Sequence, residues 1–425
     1  MNKTPIRAWW TGAALTMLFL TTPAYPGSSG YARGMSLTEI DDFKYDASAD
    51  PSIQTAAQKT VDALYELGVR QINLTPRARM TDPRGSELTP YTPPAQRAQE
   101  RQRYGRLISY IHSKGMSVGI RPIFFVVGPD GKTPYVEILP DGTSKNWWHG
   151  NIQPHDPNRW FESFKTYLDS YLLIAKANRV EEFTLGAELY SMTVGVEDQW
   201  KEYPYGFPAQ WLTLLRYAKS QLSPGTRVMY DINFTDDKVA GGDLDRFGGE
   251  FERWRYRIVD LRDRSLIAFW TELDAVGIDL YRSLATADQV LPASHEALVA
   301  SLQEASDRYA SQIDNALFQI QNTTGVSKDL ILKEVGFRSV TRGFVDPFTY
   351  AGSGELNIDH QAAAYEAMFN SFWTPGWDWF KGVVLWDTSV NPAMHGPNDI
   401  GFSPLGKAAT ENVLKKFYLD LGGPN

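Results

Sequence analysis

Leu330-Ile-Leu-Lys-Glu-Val-Gly-Phe-Arg-Ser339 is the stretch on which the fold turns. It opens as a short apolar run and ends on a carboxylate, Glu334, followed by Gly336 and Arg338. A strand buried in a parallel sheet reads as a near-continuous apolar run. A charge at its C-terminal end is costly to bury unless it is paired or used. In α/β barrels that end of each strand faces the rim where functional residues sit. Glu182-Phe-Thr-Leu-Gly-Ala-Glu-Leu-Tyr190 follows the same grammar, with Glu188 in the corresponding place. The pair sets the expectation that both carboxylates emerge on one face and look across one cleft.

Outward from these two segments, short apolar runs alternate with longer stretches of helical period. Strands are expected at 32–37, 69–75, 117–125, 183–188, 227–234, 275–281, in the run carrying Glu334, and at 382–387. Helices are expected between them at 53–67, 103–114, 158–177, 208–221, 295–322 and 360–373, with a last one at 406–419. The charged stretch 251–264 reads as a solvated helix face. Alternation of this kind predicts a parallel sheet. Eight strands predict a single (β/α)8 TIM barrel of the α/β class over residues 31–420, with extended loops on the C-terminal face of the strands.

The composition narrows the function. The chain has 425 residues, 43% hydrophobic and 22% charged, enough for one large core. A net charge of −8 leaves no basic excess to neutralise phosphates, which excludes a nucleic-acid partner. No cysteine is present, so disulfides, thiolate nucleophiles and thiolate metal sites are ruled out. The six histidines form neither His-x-His nor His-Glu-x-x-His, so no metal site and no cofactor is expected. Aromatic side chains are abundant, with 13 Trp, 21 Tyr and 21 Phe, several in loop-like sequence where indole faces suit flat C–H surfaces such as sugar rings. At the N-terminus Lys3 and Arg7 precede an apolar run at 8–20 and the small-residue site Thr22-Pro23-Ala24. That is the pattern of a signal peptide over residues 1–24, with an uncleaved anchor as the competing reading. The mature protein is expected to be exported, periplasmic or extracellular, without stable membrane insertion.

At this point a resemblance becomes specific. Gly186-Ala187-Glu188-Leu189 resembles the acid/base strand of the clan A retaining glycoside hydrolases, and Lys333-Glu334-Val335-Gly336-Phe337-Arg338-Ser339 resembles their nucleophile strand. The β-mannanase-type family and its relatives carry these motifs in this order. Val384-Leu385-Trp386-Asp387 is similar to the strand-eight aromatic under the sugar, and Ile278-Asp279-Leu280-Tyr281 to the strand-six Tyr that supports the nucleophile. The resemblance implies a retaining hydrolase of a β-linked polysaccharide or oligosaccharide, mannan-like or an exopolysaccharide. In it Glu334 is the nucleophile, Glu188 the acid/base and Tyr281 the donor to Glu334, with the carboxyls about 5–5.5 Å apart. Arg338 or Arg121 would hold Glu334 ionised. One departure is plain: Ala187 stands where the clan usually has an Asn for the sugar 2-hydroxyl, and Asn233 is the candidate replacement. Trp386, Asn233, Arg121, Trp147, Trp148, His155 and Asp387 complete the candidate substrate contacts, while Asp231 and Asp279 either bind hydroxyls or brace loops. The alternative is a non-catalytic carbohydrate-binding barrel serving polysaccharide export or attachment.

Overall fold

A computed structural model of the chain describes residues 30–421 apart from 40–43, 51, 197–198, 236–248 and 351. The expected signal segment 1–24 lies outside the described residues. Eight parallel strands close into a barrel: β1 (Ala32–Thr38), β2 (Gln71–Leu74), β3 (Ser117–Ile120), β4 (Glu182–Ala187), β5 (Arg227–Thr235), β6 (Ala275–Tyr281), β7 (Leu330–Val335) and β8 (Phe380–Ser389). Each pairs with its sequence neighbours and β8 closes on β1, which makes the chain a (β/α)8 barrel.

The helices form where the sequence supplies both an apolar stripe and a cap. In α1 (Ala56–Glu66) Thr55 and Gln58 form a reciprocal capping box. In the helix Pro157–Asn178, Asp156 caps the first turn and Pro157 sits at a first-turn position where no N–H is needed. That helix buries Trp160, Phe161, Phe164, Tyr167 and Tyr171 against the barrel, and Trp160 stacks on Phe164 at 4.9 Å.

Two expectations are corrected. The third strand is not continuous over 117–125. Pro122 has no N–H to donate, so β3 ends at Ile120 and Ile123–Val126 leaves the barrel to pair with Arg77–Met80 in a small sheet above it. The charged stretch at 251–264 is not a solvated face either. It forms the helix Glu250–Val259, which buries Glu250, Arg253 and Arg257. Arg253 donates to Val194 O at 3.0 Å and to Pro204 O at 3.2 Å, and Arg257 donates to Val194 O at 3.0 Å. These guanidiniums supply donors to carbonyls of the loop after β4, which would otherwise be buried without partners.

Register places the rim residues. On β4, Thr184 to Ala187 spans one residue more than Met229 to Asp231 opposite. On β7, Leu332 to Glu334 faces only Ile278 to Asp279. On β8, Leu385 to Thr388 faces Met35 to Leu37. Each is a β-bulge, a device that re-aims a side chain by breaking the two-residue alternation. The bulge on β7 explains how adjacent Lys333 and Glu334 both engage charged partners inside the barrel. All three interruptions fall beside the residues of interest: Glu188, Glu334 and Trp386.

Candidate active site

The floor of the barrel mouth is built around Arg121, just past β3 and 1% exposed. Its Nε donates to Asp231 Oδ2 at 2.7 Å, its Nη2 to Asp279 Oδ2 at 2.8 Å, and its Nη1 to Glu334 Oε1. One guanidinium therefore serves three carboxyls from β5, β6 and β7. Below it Lys333 and Arg227 both pair with Glu182, the latter at 2.8 Å. Trp386 on β8 lies above Arg121, ring centroid 5.8 Å from the guanidinium carbon, with its indole part-exposed.

Glu334 is 7% exposed and takes a second hydrogen bond from the Tyr281 hydroxyl at 3.0 Å. Arg338 does not reach it. That side chain donates instead to Gly352 O at 2.6 Å, so the cation beside Glu334 is Arg121.

Glu188 follows β4 with φ 55°, a left-handed conformation that costs a non-glycine residue about 1–2 kcal/mol. The chain turns out of the strand here, and the Glu188 N–H is still satisfied by Asp231 O at 2.9 Å. Both carboxylate oxygens are engaged. Asn233 Nδ2 donates to Oε1 at 2.6 Å, and His149 Nε2 lies 3.1 Å from Oε2. Asn233 thus holds the carboxylate rather than standing free in the place left by Ala187. Its own backbone N–H donates at 2.9 Å to Glu250, a fully buried acid that also accepts from Trp254 Nε1 at 3.1 Å.

His149 and Glu250 are the residues that reading the sequence missed. His149 lies in the loop whose other histidine, His155, is exposed and has only its backbone N–H engaged, to Arg84 O at 2.9 Å. What lets His149 reach the rim is Gly150. A Cβ there would meet the Tyr190 ring at 2.5 Å and Glu188 O at 2.8 Å. Gly150→Ala is therefore expected to lower stability by about 1–3 kcal/mol through overpacking and to move His149 off Glu188. Thermal unfolding and a structure of the variant check both; an unshifted His149 contact would show that the loop has slack.

The remaining candidates separate. Trp148 is half-buried, edge-on to His149 at 4.7 Å and to Tyr190 at 5.6 Å, and so lines the same side. Trp147 is not brought there. It is 2% exposed, lies between Lys145 at 3.8 Å and Arg84 at 4.7 Å, and donates to Glu137 at 2.8 Å, which makes it the filling of the hairpin formed by Tyr135–Ile138 and Ser144–Trp147. Asp387 accepts from Thr38 Oγ1 at 2.5 Å across the β1–β8 seam. Among the described residues no cluster of His, Asp and Glu is placed to hold a metal ion, and no helix is long and apolar enough to cross a membrane.

Several carboxyls share few cations here, and burial raises most of them. Glu334 is pushed up to about 7 by burial, with Arg121 pulling down and the Glu188 charge pushing up. Asp279 and Asp231 are raised by burial against the pull of Arg121 and, for Asp231, of Lys333. Glu250 is raised to about 8, by burial first. Glu188 moves the other way. Burial pushes it up, but the hydrogen bond and charge of His149, helped by Arg121 and Asn233, hold it below the ordinary carboxylate value. The order is the reverse of what an acid Glu188 and a nucleophile Glu334 require: burial raises Glu334, while His149 is the main influence lowering Glu188.

Comparison with known proteins adds what the chain is similar to. Residues 255–407 match the model of Glycoside Hydrolase Family 113. A search of the curated proteins finds no match. Among solved structures the chain resembles the Family 113 β-mannanase from Alicyclobacillus acidocaldarius in complex with ManMIm (19% identity, TM-score 0.61, 94% of this chain and 100% of that one). It also resembles a second Family 113 β-1,4-mannanase (17%, 0.59, 92% and 99%) and a Family 5 mannosidase from Rhizomucor miehei (10%, 0.51, 92% and 93%). At these identities the structural likeness is one of fold, and the matched stretch contains Tyr281, Glu334 and Trp386. The partial family match, the barrel and the motif order make the chain similar to the clan A glycoside hydrolases, the β-mannanases among them.

Proposed function

We propose that the protein hydrolyses a β-linked glycan, mannan-like or an exopolysaccharide, by double displacement with retention. One observation carries the reading: Glu188 and Glu334 lie at the ends of different strands, the Glu188 charge acts on Glu334, and each is held by dedicated donors. Glu334 attacks the anomeric carbon while Glu188 protonates the departing oxygen. Glu188 then takes a proton from the water that releases the sugar. Tyr281 and Arg121 keep the nucleophile's oxygens aimed, and Trp386 offers an apolar face to the ring. The mannan preference rests on the names of the similar structures, and export on the N-terminal pattern.

Purified protein should release manno-oligosaccharides from a β-mannan panel, with the β-anomer appearing first by NMR. Initial release of the α-anomer would break the retaining mechanism. Binding without turnover by the wild type would favour the non-catalytic barrel. Glu188→Ala should lower kcat on unactivated oligosaccharides by about 10²–10⁴-fold. Azide should restore turnover of an activated aryl glycoside and yield the β-glycosyl azide; no azide adduct would remove Glu188 from the acid/base role.

A further inference from the structure

The arrangement around Glu188 contains more than an acid/base needs. A proton donor in a cleft requires one oxygen that can turn to the leaving group. Here Oε1 is occupied by the amide of Asn233 at 2.6 Å, and Oε2 faces an imidazole at 3.1 Å. Imidazole is the side chain suited to giving and taking a proton near neutrality. His149 is edge-on to Phe124 at 5.9 Å and to Trp148 at 4.7 Å, and its side chain is 20% exposed. The charged and titratable groups facing Glu188 are His149 from the loop, Arg121 beyond β3, Tyr190 just after Glu188, Asp279 and Tyr281 on β6, Glu334 on β7 and Glu250 on the helix behind Asn233. Among these, His149 alone hydrogen-bonds the oxygen not taken by Asn233.

We propose that His149 is a positioning residue that stores the catalytic proton and passes it to Glu188. The inference rests on the glycosidase reading above. In the resting pair the proton is on the imidazolium and Glu188 is a carboxylate. When substrate binds, His149 Nε2 transfers that proton to Glu188 Oε2, and the hydroxyl turns to the glycosidic oxygen. The C–O bond then breaks with its electron pair going to the leaving oxygen, which takes the proton, while Glu334 forms a bond to the anomeric carbon. In the second half water adds to that carbon and the bond to Glu334 breaks with its pair returning to the carboxylate. The water's proton goes to Glu188 and back to His149. Nothing is oxidised or reduced, and the pair ends as it began.

The first transfer has a second effect. Discharging Glu188 removes the negative charge that opposes ionisation of Glu334. A single proton movement therefore puts Glu188 in its acid form and eases ionisation of Glu334, whose larger obstacle is burial.

The test uses His149→Gln, whose amide can still donate a hydrogen bond to Oε2 but cannot release a proton, and His149→Ala with added imidazole. With an unactivated oligosaccharide His149→Gln should lose about 10²-fold in kcat with little change in KM. With a dinitrophenyl glycoside, whose leaving group needs no proton, the glycosylation step should be nearly unaffected. Imidazole should restore His149→Ala on the oligosaccharide. Equal losses on both substrates, or full activity of His149→Gln on the oligosaccharide, would overturn the proton-store role and leave His149 a structural neighbour. A wild type that turns over neither substrate would instead sink the glycosidase reading itself.

Discussion

Glu334→Gln is expected to lower kcat by about 10⁵-fold or more, the scale seen when a covalent nucleophile is removed, and at the same time to make the protein more stable in alkali. The amide can still accept from Arg121 and stay near Tyr281, so the fold keeps its contacts. What disappears is a buried carboxyl whose value is raised from the ordinary 4.5 to about 7. The sign follows from proton binding. Between 4.5 and 7 the folded state holds a proton on Glu334 that the unfolded chain has released. The wild type therefore loses stability as pH rises through that window, and the deficit persists above it. Gln has no such dependence. The variant should unfold at higher urea than the wild type at pH 8, by at most about 3 kcal/mol, and show little advantage at pH 4. Urea unfolding at both pH values, with steady-state kinetics, checks the pair of effects. Activity within tenfold of wild type would remove Glu334 from the nucleophile role. A stability gain of equal size at both pH values would mean that the raised, buried carboxyl is not its source.

The same balance of burial and charge decides what could be read from the sequence. The strands were legible because a parallel barrel strand is an apolar run with one costly exception, and the exceptions at 188 and 334 stood out against Leu330–Leu332 and Phe183–Ala187. The bulges were not legible. One extra residue on β4, β7 and β8 leaves no compositional mark, yet it decides which side chains enter the cleft. His149 was hidden for a different reason: its position depends on the close approach that Gly150 permits, a tertiary contact between separate loops. Pro122, by contrast, was a visible signal, since an imino residue in a strand demotes it, and it marks where the third strand leaves the barrel. At 251–264 charge alone does not distinguish a solvated face from a buried set of donors, and the helix there is the second kind. Arg253 and Arg257 are buried because the loop after β4 carries carbonyls that need donors.

Arg121, expected from the sequence as a partner of Glu334 and a substrate contact, should on removal be the most damaging single change to the fold. Arg121→Met keeps much of the volume and deletes the guanidinium shared by Asp231, Asp279 and Glu334. Breaking a buried ion pair from one side costs about 3–5 kcal/mol, because the partner is left charged and dry. Here three partners are left. Asp231 keeps the Thr184 hydroxyl at 3.3 Å and Glu334 keeps Tyr281, but the Asp279 oxygen that met Arg121 loses its donor. The carboxyls answer by holding protons more tightly, so the folded variant binds more protons than its unfolded chain, and its stability falls as pH rises. The deficit against wild type should be largest near pH 8 and shrink toward pH 4, where the unfolded carboxyls also take up protons. Arg121→Lys should fall between, since one ammonium restores the charge but cannot fork to three acceptors. Urea midpoints at the two pH values measure it. A loss under about 1 kcal/mol at pH 8, or one unchanged by acid, would mean that Arg121 is not what allows three acids from β5, β6 and β7 to meet under the substrate.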